Sequence, residues 1–253
     1  MKIDHRKAAV IGCGNVGASI AFRFLQQGLF TRLVLLDANR DKAEGEAMDL
    51  RDGLPYGAAM EISAGDYDDL TDCALAVITA GANQKPGETR LDLIGLGAEL
   101  EVDSRNIHAF IIGEHGDSEL AVWSEANVSG LDLEDFCRVR GQTLGAENRE
   151  RLYREVRDSA YQIIERKGAT YYGIAMAVGR IAEAIVKDER AVLPVSAVLD
   201  GQYGMNGLAL SLPSIVGRKG LQEILEMPLS SGERAALSAS AEQMREAIES
   251  LKL

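Results

Sequence analysis

Three glycines near the amino terminus are spaced as a phosphate-binding turn requires. Gly12, Gly14 and Gly17 form GxGxxG between a short apolar run and a segment of helical periodicity, and Asp37 ends the next apolar run. The first glycine permits a tight turn, the second lets backbone approach a pyrophosphate, and the third lets helix and strand pack closely. The helix N-terminus then faces the anion. The pattern predicts a dinucleotide site, although GxGxxG alone also describes an ordinary glycine turn.

The acidic residue of this pattern indicates which dinucleotide binds. Asp37 would accept hydrogen bonds from the adenosine ribose, whereas the 2′-phosphate of NADP would meet its negative charge. NAD is therefore the predicted cofactor. Asn15 and Val16 are expected to lie under the cofactor, but they could equally be simple turn and core residues.

Three further strings carry a family resemblance. They are TAGANQKPGETRLDL at 79–93, NIHAFIIGEHGDSE at 106–119 and KGATYYGIAMAVGRI at 167–181. Together with the glycine pattern they closely resemble the bacterial L-lactate dehydrogenases of the lactate/malate dehydrogenase family, in order over nearly the whole chain. The resemblance implies an NAD-dependent oxidoreductase that interconverts (S)-lactate and pyruvate, in glycolysis and pyruvate fermentation. It also implies that Gly81 and Ala82 contact the cofactor.

The resemblance assigns the proton transfer to His115, in the string GEHGD. This residue resembles the acid/base that exchanges a proton with the 2-hydroxyl while hydride passes to or from the nicotinamide. An imidazole suits that role because it can accept and return a proton near neutral pH. The alternative is a histidine that merely caps a turn.

The resemblance also assigns the substrate contacts. Arg90 resembles the loop arginine that closes over the substrate and polarises the reacting carbonyl, although an arginine in a loop is more often a solvated charge. Gln84 resembles the residue that tolerates the methyl group of lactate, where malate dehydrogenases carry an arginine, so malate is disfavoured. Thr170 matches a threonine that lines the same pocket, and it could equally be a helix-start hydroxyl.

His108 resembles a residue that helps to bind fructose 1,6-bisphosphate in allosteric bacterial members, and from the sequence it is equally well a strand-end histidine. The resemblance further implies a homo-oligomer, normally a homotetramer built from dimers. Both expectations come from the family alone.

The elements that must position these residues alternate between strand and helix. Predicted strands are 7–11, 32–36, 60–64 and 75–80, and predicted helices are 16–27 and 40–51. Such alternation, with apolar strands, predicts an α/β fold with a Rossmann-type parallel sheet. A strand at 106–113, helices at 144–166 and 171–186, a strand pair within 191–217 and an amphipathic helix at 231–251 predict an α+β substrate domain. The predicted domains are 1–94, NAD-binding, and 95–253, catalytic.

Bulk composition excludes several partners. The 253 residues carry 27 Lys plus Arg against 39 Asp plus Glu, a formal charge of −12, which disfavours nucleic acid and anionic membranes. The charged start resembles neither a signal peptide nor a membrane span, so a cytoplasmic location is expected. Cys13, Cys73 and Cys137 are too few and too scattered to predict a disulfide framework or a metal site.

The spacing of the strings departs from the family. Only twenty-four residues separate Arg90 from His115, and the resemblance implies that about 60 residues, or two βαβ units, are absent near LDLIGLGAEL at 91–100. In the family, the residues that are absent here should include an asparagine near the nicotinamide, the aspartate that orients the histidine and the arginine that binds the substrate carboxylate. It follows that the predicted sheet is truncated and exposes an apolar edge. Two hypotheses remain: an active L-lactate dehydrogenase, or a non-catalytic NAD-binding remnant.

Overall fold

The computed structural model describes residues 3–80 and 93–251. The strands are β1 Asp4–Ile11, β2 Arg32–Leu36, β3 Glu61–Ala64, β4 Cys73–Ile78, β5 Ile107–His108, β6 Ile111–Ile112, β7 Leu120–Ala121, β8 Asn127–Val128, β9 Leu131–Asp132, β10 Ala191–Asp200, β11 Asn206–Gly217 and β12 Gly220–Ile224. The helices are α1 Asn15–Gln27, α2 Arg40–Asp52, α3 Leu93–Leu100, α4 Leu133–Val139, α5 Ala146–Lys167, α6 Tyr172–Lys187 and α7 Ser231–Ser250.

The chain folds into two compact units, and each unit is formed by three separate segments of the sequence. The first unit comprises 1–85, 167–191 and 216–220, and the second comprises 86–166, 192–215 and 221–253. The domain boundary predicted at 94/95 stays a prediction. α6 belongs to the first unit, so the two units are not separated by a single cut of the chain.

The first unit is built on a parallel sheet with the strand order β3-β2-β1-β4. In register, Ala8 of β1 lies between Leu33 of β2 and Leu75 of β4. Consecutive residues of a strand face opposite sides, so one face carries Ala8 and Val10 and the other carries Ala9 and Ile11. The predicted α/β fold with a Rossmann-type sheet is confirmed, and β4 is the last strand on its side among the described residues.

The helices of this unit pack on the sheet face of Ala8 and Val10. Apolar residues of α1, α2 and α6 join that face in one core, with Ile20 and Phe24 fully buried. The α1 and α6 helices are also linked by Gln27, whose amide nitrogen donates to the Gly179 carbonyl at 3.1 Å. α1 ends where Gly28 adopts a left-handed conformation with φ of 63°. These contacts fix the helix that starts at the glycine turn.

The second unit has two apolar cores. One core joins β6, β7, α7 and most of the three-stranded sheet β10-β11-β12, with Leu210 and Leu212 fully buried. The other joins α3, α4 and the start of α5 with the small sheet β5-β8-β9, and Leu96 and Leu100 of α3 are buried in it. The sequence predicts that family residues are absent near 91–100. At that point of the chain the structure has one short helix, α3, and it contributes to this core.

Several sequence predictions of this unit were only partly right. The single strand predicted at 106–113 is wrong: Ser104–Asn106 forms a 3-10 turn, and β5 and β6 are two-residue strands separated by Ala109 and Phe110. The predicted pair within 191–217 is present as β10 and β11, but a third strand, β12, follows it. The short elements β7, β8, β9 and α4 were not predicted, because two to seven residues are too few to show a period.

Candidate active site

The glycine turn joins β1 to α1 in a conformation that only glycine accepts readily. Gly12 has φ of 99°, and a Cβ there would lie 2.7 Å from the backbone nitrogen of Ala80. Its own N–H donates to the Leu36 carbonyl at 2.7 Å, and the Thr79 hydroxyl donates to its carbonyl at 2.7 Å. The turn is therefore fixed from both neighbouring strands, β2 and β4.

The other two glycines have the separate tasks that the pattern predicts. A Cβ on Gly17 would lie 1.8 Å from the Gly12 carbonyl oxygen, so a side chain there would force helix and turn apart. A Cβ on Gly14 would meet nothing within 4 Å, and Gly14 lines the adjacent cleft. Space for a ligand to approach the backbone therefore lies at Gly14, as a pyrophosphate site requires.

Asp37 follows β2 and is oriented by two backbone donors. Its carboxylate accepts the N–H of Asn39 at 2.9 Å and the N–H of Cys13 at 2.7 Å. These bonds, first from Asn39 and then from Cys13, lower the pKa of Asp37, which keeps the carboxylate ionised. Cys13 is the reverse case, because burial and the Asp37 charge raise the pKa of its thiol to about 11. Its thiol stays protonated beside the carboxylate.

These residues border a cleft of about 680 Å³ at the carboxyl ends of β1 and β2. Its lining includes Gly12, Gly14 and Asp37, so the structure brings these three predicted residues together. The first turn of α1 has no side-chain cap and no acidic residue, which leaves the positive helix end available to an anion. These residues fit a dinucleotide. The helix N-terminus and the backbone at Gly14 would hold the diphosphate, and the Asp37 carboxylate would accept hydrogen bonds from the ribose hydroxyls.

The sequence patterns did not identify the other residues that line this cleft, which include Arg40, Lys42, Tyr67 and Thr79. Thr79 belongs to the string TAGAN and follows β4, so its position at a strand end was the available signal. Arg40 and Lys42 lie in the first turn of α2, and Tyr67 lies in the 3-10 turn Tyr67–Leu70. Nothing local distinguishes those three from ordinary surface residues.

In the second unit, His115 is exposed on the turn between β6 and β7. The turn is held by neighbours on both sides of the histidine. The Glu114 N–H donates to the Ser240 hydroxyl at 2.8 Å, and the Ser118 hydroxyl donates to the Glu114 carboxylate at 2.6 Å. Gly113 has φ of 101° and a Cβ there would lie 2.8 Å from the Ser240 oxygen. The backbone is therefore fixed while the imidazole faces solvent.

Two tyrosines of α5 bond to acidic residues next to this turn, one to a carboxylate and one to a backbone carbonyl. The Tyr161 hydroxyl donates to Asp117 at 3.0 Å, and the Tyr153 hydroxyl donates to the Glu119 carbonyl at 2.6 Å. Within 3–80 and 93–251, no carboxylate hydrogen-bonds or ion-pairs with His115. Asp117, two residues away, therefore does not pair with the histidine.

Helix α7 supplies the anchor of this turn and is itself capped twice. Ser230 and Glu233 form a capping box, and Glu233 also accepts the Ser124 hydroxyl at 2.6 Å and the Ser124 N–H at 3.0 Å. Burial raises the pKa of Glu233, but the bonds from Ser124 and Ser230 outweigh it and lower the pKa to about 2. The helix that carries Ser240 is therefore fixed to the loop after β7.

The remaining predicted residues have separate positions. Asn15 and Val16 begin α1; Asn15 is exposed and Val16 packs against the first core. Thr170 is half-buried before α6, whose N-cap is Tyr171, so Thr170 is not the cap. His108 is exposed at the end of β5, opposite Asn127. Gly81, Ala82, Gln84 and Arg90 lie outside the described residues.

The described residues contain neither a membrane-spanning helix nor a cluster of metal ligands. No helix there is long and apolar enough to cross a membrane. No group of three or more His, Cys, Asp or Glu residues in 3–80 and 93–251 could hold a metal ion.

Family models match both halves of the chain. Residues 6–104 match the lactate/malate dehydrogenase NAD binding domain, and residues 89–252 match the lactate/malate dehydrogenase alpha/beta C-terminal domain. An L-lactate dehydrogenase of Thermoanaerobacter sp. (strain X514) is 40% identical over 309 positions, with 98% of this chain and 99% of that protein covered. L-lactate dehydrogenase 2 of Lactococcus lactis subsp. lactis (strain IL1403) is 39% identical over 315 positions, with both chains fully covered.

A solved structure gives the same relationship. The minor L-lactate dehydrogenase from Enterococcus mundtii, in its ligands-bound form, has a TM-score of 0.91 and 33% identity, covering 98% of this chain and 99% of that one. The alignment with the Lactococcus protein spans 315 positions, and this chain has 253 residues, so at least 62 of those positions have no residue here. The chain belongs to the lactate/malate dehydrogenase family, and residues 6–104 are its NAD-binding domain.

Proposed function

We propose that this chain is an NAD-dependent L-lactate dehydrogenase that interconverts (S)-lactate and pyruvate. The observation that carries the proposal is the turn GEHGD, in which Glu114, Ser118 and Ser240 hold the backbone while His115 faces solvent. A histidine that only capped a turn would hydrogen-bond the backbone through its imidazole. Among the described residues, the His115 imidazole makes no hydrogen bond to the backbone. The names of the relatives at about 40% identity support the same reaction.

When bound, NAD⁺ would supply the acceptor for the hydride that leaves C2 of lactate, and Gly12, Gly14 and Asp37 would hold it. His115 accepts the proton of the 2-hydroxyl as the C2–O bond becomes a carbonyl, and it returns the proton in the reverse direction. Arg90 polarises that carbonyl and Gln84 faces the methyl group; Thr170 lines the same pocket. Gly81 and Ala82 add cofactor contacts beyond Gly12, Gly14, Asn15, Val16, Gly17 and Asp37. These roles rest on the family resemblance, and the direct support is the geometry around Asp37 and His115.

We also propose that the 62 or more alignment positions without a residue lie mainly between Arg90 and His115. Support comes from the twenty-four residues in that interval and from α3, one short helix where the family resemblance implies the start of the helix after the loop and the end of a much later helix. The two domains are then 1–94 and 95–253. The segment would remove the arginine that pairs with the substrate carboxylate, and losing such a pair costs about 2–5 kcal/mol of substrate binding. We expect a high KM for pyruvate and slow turnover.

The finer features of the family are part of the proposal. We infer a cytoplasmic homotetramer acting in glycolysis and pyruvate fermentation, as the bacterial resemblance implies. His108 would contribute to a fructose 1,6-bisphosphate site. The support for that site is small, because the neighbouring Arg105 is already paired with Asp103.

The test is pyruvate-dependent NADH oxidation by the purified chain, with its intact mass recorded and oxaloacetate assayed in parallel. The proposal predicts turnover with pyruvate, a slower rate with oxaloacetate, and loss of the pyruvate rate in His115→Gln. NADH binding without turnover of either substrate would contradict it and would identify a non-catalytic NAD-binding protein. Faster turnover of oxaloacetate would identify a malate dehydrogenase.

A further inference from the structure

The outer edge of β4 is not paired with any described strand. Ala74, Ala76 and Ile78 are exposed, and Ile78 retains 72% of its accessible surface. The strand reads CALAVI, with no charge and no proline. Edge strands usually carry such protection, because an unprotected edge pairs with other chains.

The other edge strands of the four-stranded sheet and of the sheet β10-β11-β12 carry a charge or a proline. β3 has Glu61 at its start, in an ion pair with Arg32. β10 has Pro194 in its middle, and β12 contains Glu223. Charges and prolines discourage strand addition, so β4 differs from all three.

The peptide groups of Ala76 and Ile78 point outward. The Thr79 N–H donates to the Ile11 carbonyl of β1 at 2.8 Å. Because backbone groups alternate in direction along a strand, the odd-numbered residues from Leu75 to Thr79 face β1, and Ala76 and Ile78 face away. An added antiparallel strand could exchange two hydrogen bonds with each of these residues.

A groove of about 300 Å³ lies beside the amino end of this edge. Its walls are apolar, formed with Leu75 of β4 and Ile185 of α6, and His5 and Arg218 also line it. The Arg218 backbone N–H donates to the Asp188 carboxylate, but no described residue pairs with the Arg218 guanidinium or the His5 ring. In a chain of charge −12, this groove offers an unpaired cation next to an open strand edge.

We propose that the outer edge of β4 docks an extended apolar peptide segment, antiparallel to β4, whose C-terminal carboxylate lies in the groove beside Arg218. The apolar exposed face of Ala74, Ala76 and Ile78 selects apolar side chains, and the guanidinium selects the carboxylate. Charge complementarity favours this partner over a second copy. Antiparallel pairing of two β4 strands would bring Ile78 of the other copy beside Ala74 and would supply no carboxylate to Arg218.

The probe is a fluorescein-labelled hexapeptide, Val-Thr-Val-Thr-Val-Val, prepared with a free C-terminal carboxylate and, for comparison, with a C-terminal amide. Fluorescence anisotropy with the full chain should show the free acid binding about tenfold more tightly than the amide, as loss of one charge-assisted contact requires. Arg218→Gln should remove that difference and leave the binding of the amide unchanged.

Two substitutions at one position test the strand pairing. Ala76→Pro removes an outward N–H without touching the bonds to β1, and it should weaken both peptides at least about tenfold. Ala76→Ser keeps the N–H and should bind like the parent. Unchanged NADH affinity and thermal unfolding in both variants would establish that the fold is retained.

Three results would overturn the proposal. The first is no saturable binding of the free acid up to about 1 mM, the weak limit of specific recognition. The second is equal binding of the acid and the amide. The third is self-association of the chain that Ala76→Pro abolishes and the peptide displaces, which would assign the edge to a second copy.

Discussion

The nucleotide site and the histidine turn are two fixed pieces of backbone, but they differ in how much of a working site each contains. The nucleotide site is assembled from 11–80. The Thr79 hydroxyl donates to the Gly12 carbonyl, and the Asp37 carboxylate accepts the N–H of Cys13, the residue after Gly12. The histidine turn depends on residues far away in sequence, such as Ser240, and His115 has no described carboxylate partner. The nucleotide site is therefore encoded within one stretch of chain, whereas the position of His115 depends on contacts between residues more than 100 positions apart.

The largest expected effect is on catalysis, at the histidine turn. His115→Gln should lower the rate of pyruvate reduction by a factor of about 10² to 10⁴, the usual contribution of a general acid. NADH affinity should not change, because the nucleotide contacts are made by other residues. Steady-state kinetics and an NADH fluorescence titration on the same preparation would check both. An unchanged pyruvate rate would show that His115 is not the proton donor.

The next effect breaks the nucleotide side alone. Gly14→Ala should weaken NADH binding about tenfold or more, since the new Cβ projects into the cleft where backbone must approach the diphosphate. Its φ of −73° is acceptable to alanine, so stability should be retained. Gly45→Ala in α2 is the matched control, with open space around its Cβ; it should leave NADH binding intact and stabilise the fold by about 0.5–1 kcal/mol. Equal NADH affinity in both variants would argue against a diphosphate at Gly14.

A smaller effect sharpens the role of the turn's anchor. Ser240→Ala removes the acceptor of the Glu114 N–H and should cost about 1 kcal/mol of stability. It should lower kcat for pyruvate by about two- to tenfold, because the backbone next to His115 is no longer fixed. NADH affinity should stay constant. Ser238→Ala on the exposed side of α7 is the control. A loss of kcat equal in both variants would mean that the anchor is not specific.

The smallest effect is a pH dependence of stability in the second unit. Bonds from Ser124 and Ser230 lower the pKa of Glu233 from 4.5 to about 2 in the folded chain. The folded-state pKa is depressed, so its stabilisation is present above about pH 4.5 and is lost as the pH falls toward 2. Glu233→Gln should therefore be less stable than the parent at pH 6, by about 0.5–1 kcal/mol from the lost cap. Urea unfolding should show the difference shrinking between pH 5 and pH 3, and a difference that grows there would refute the assignment.

Sequence reasoning worked best where one stretch of chain encodes both the element and the site. The strand 32–36 was predicted to the residue, α1 and α2 to within one, and the turn with Asp37 was placed correctly because glycine and acid are short-range signals. The anchors of the His115 turn were not predictable. Ser240 is 126 residues from Glu114 and Glu233 is 109 from Ser124, and neither has a local pattern that reveals a partner at that distance.

The prediction of one strand at 106–113 was wrong for a related reason. The run 106–113 is apolar enough for one strand, but its ends pair with different segments, β5 with β8 and β6 with β7. Tertiary pairing, rather than propensity, divides it. The open edge at β4 was expected from the short interval between Arg90 and His115, whereas the groove with Arg218 depends on a residue more than 140 positions away from β4.

The most direct test of the contrast between the two regions is an equilibrium titration of the parent chain with NADH, followed by fluorescence, and with NADPH as competitor. A complete nucleotide site predicts saturable binding of one NADH per chain, with NADPH weaker by about tenfold or more because its 2′-phosphate meets Asp37. A folded chain that fails to saturate with NADH, or that binds NADPH equally well, would contradict the claim that this site is complete.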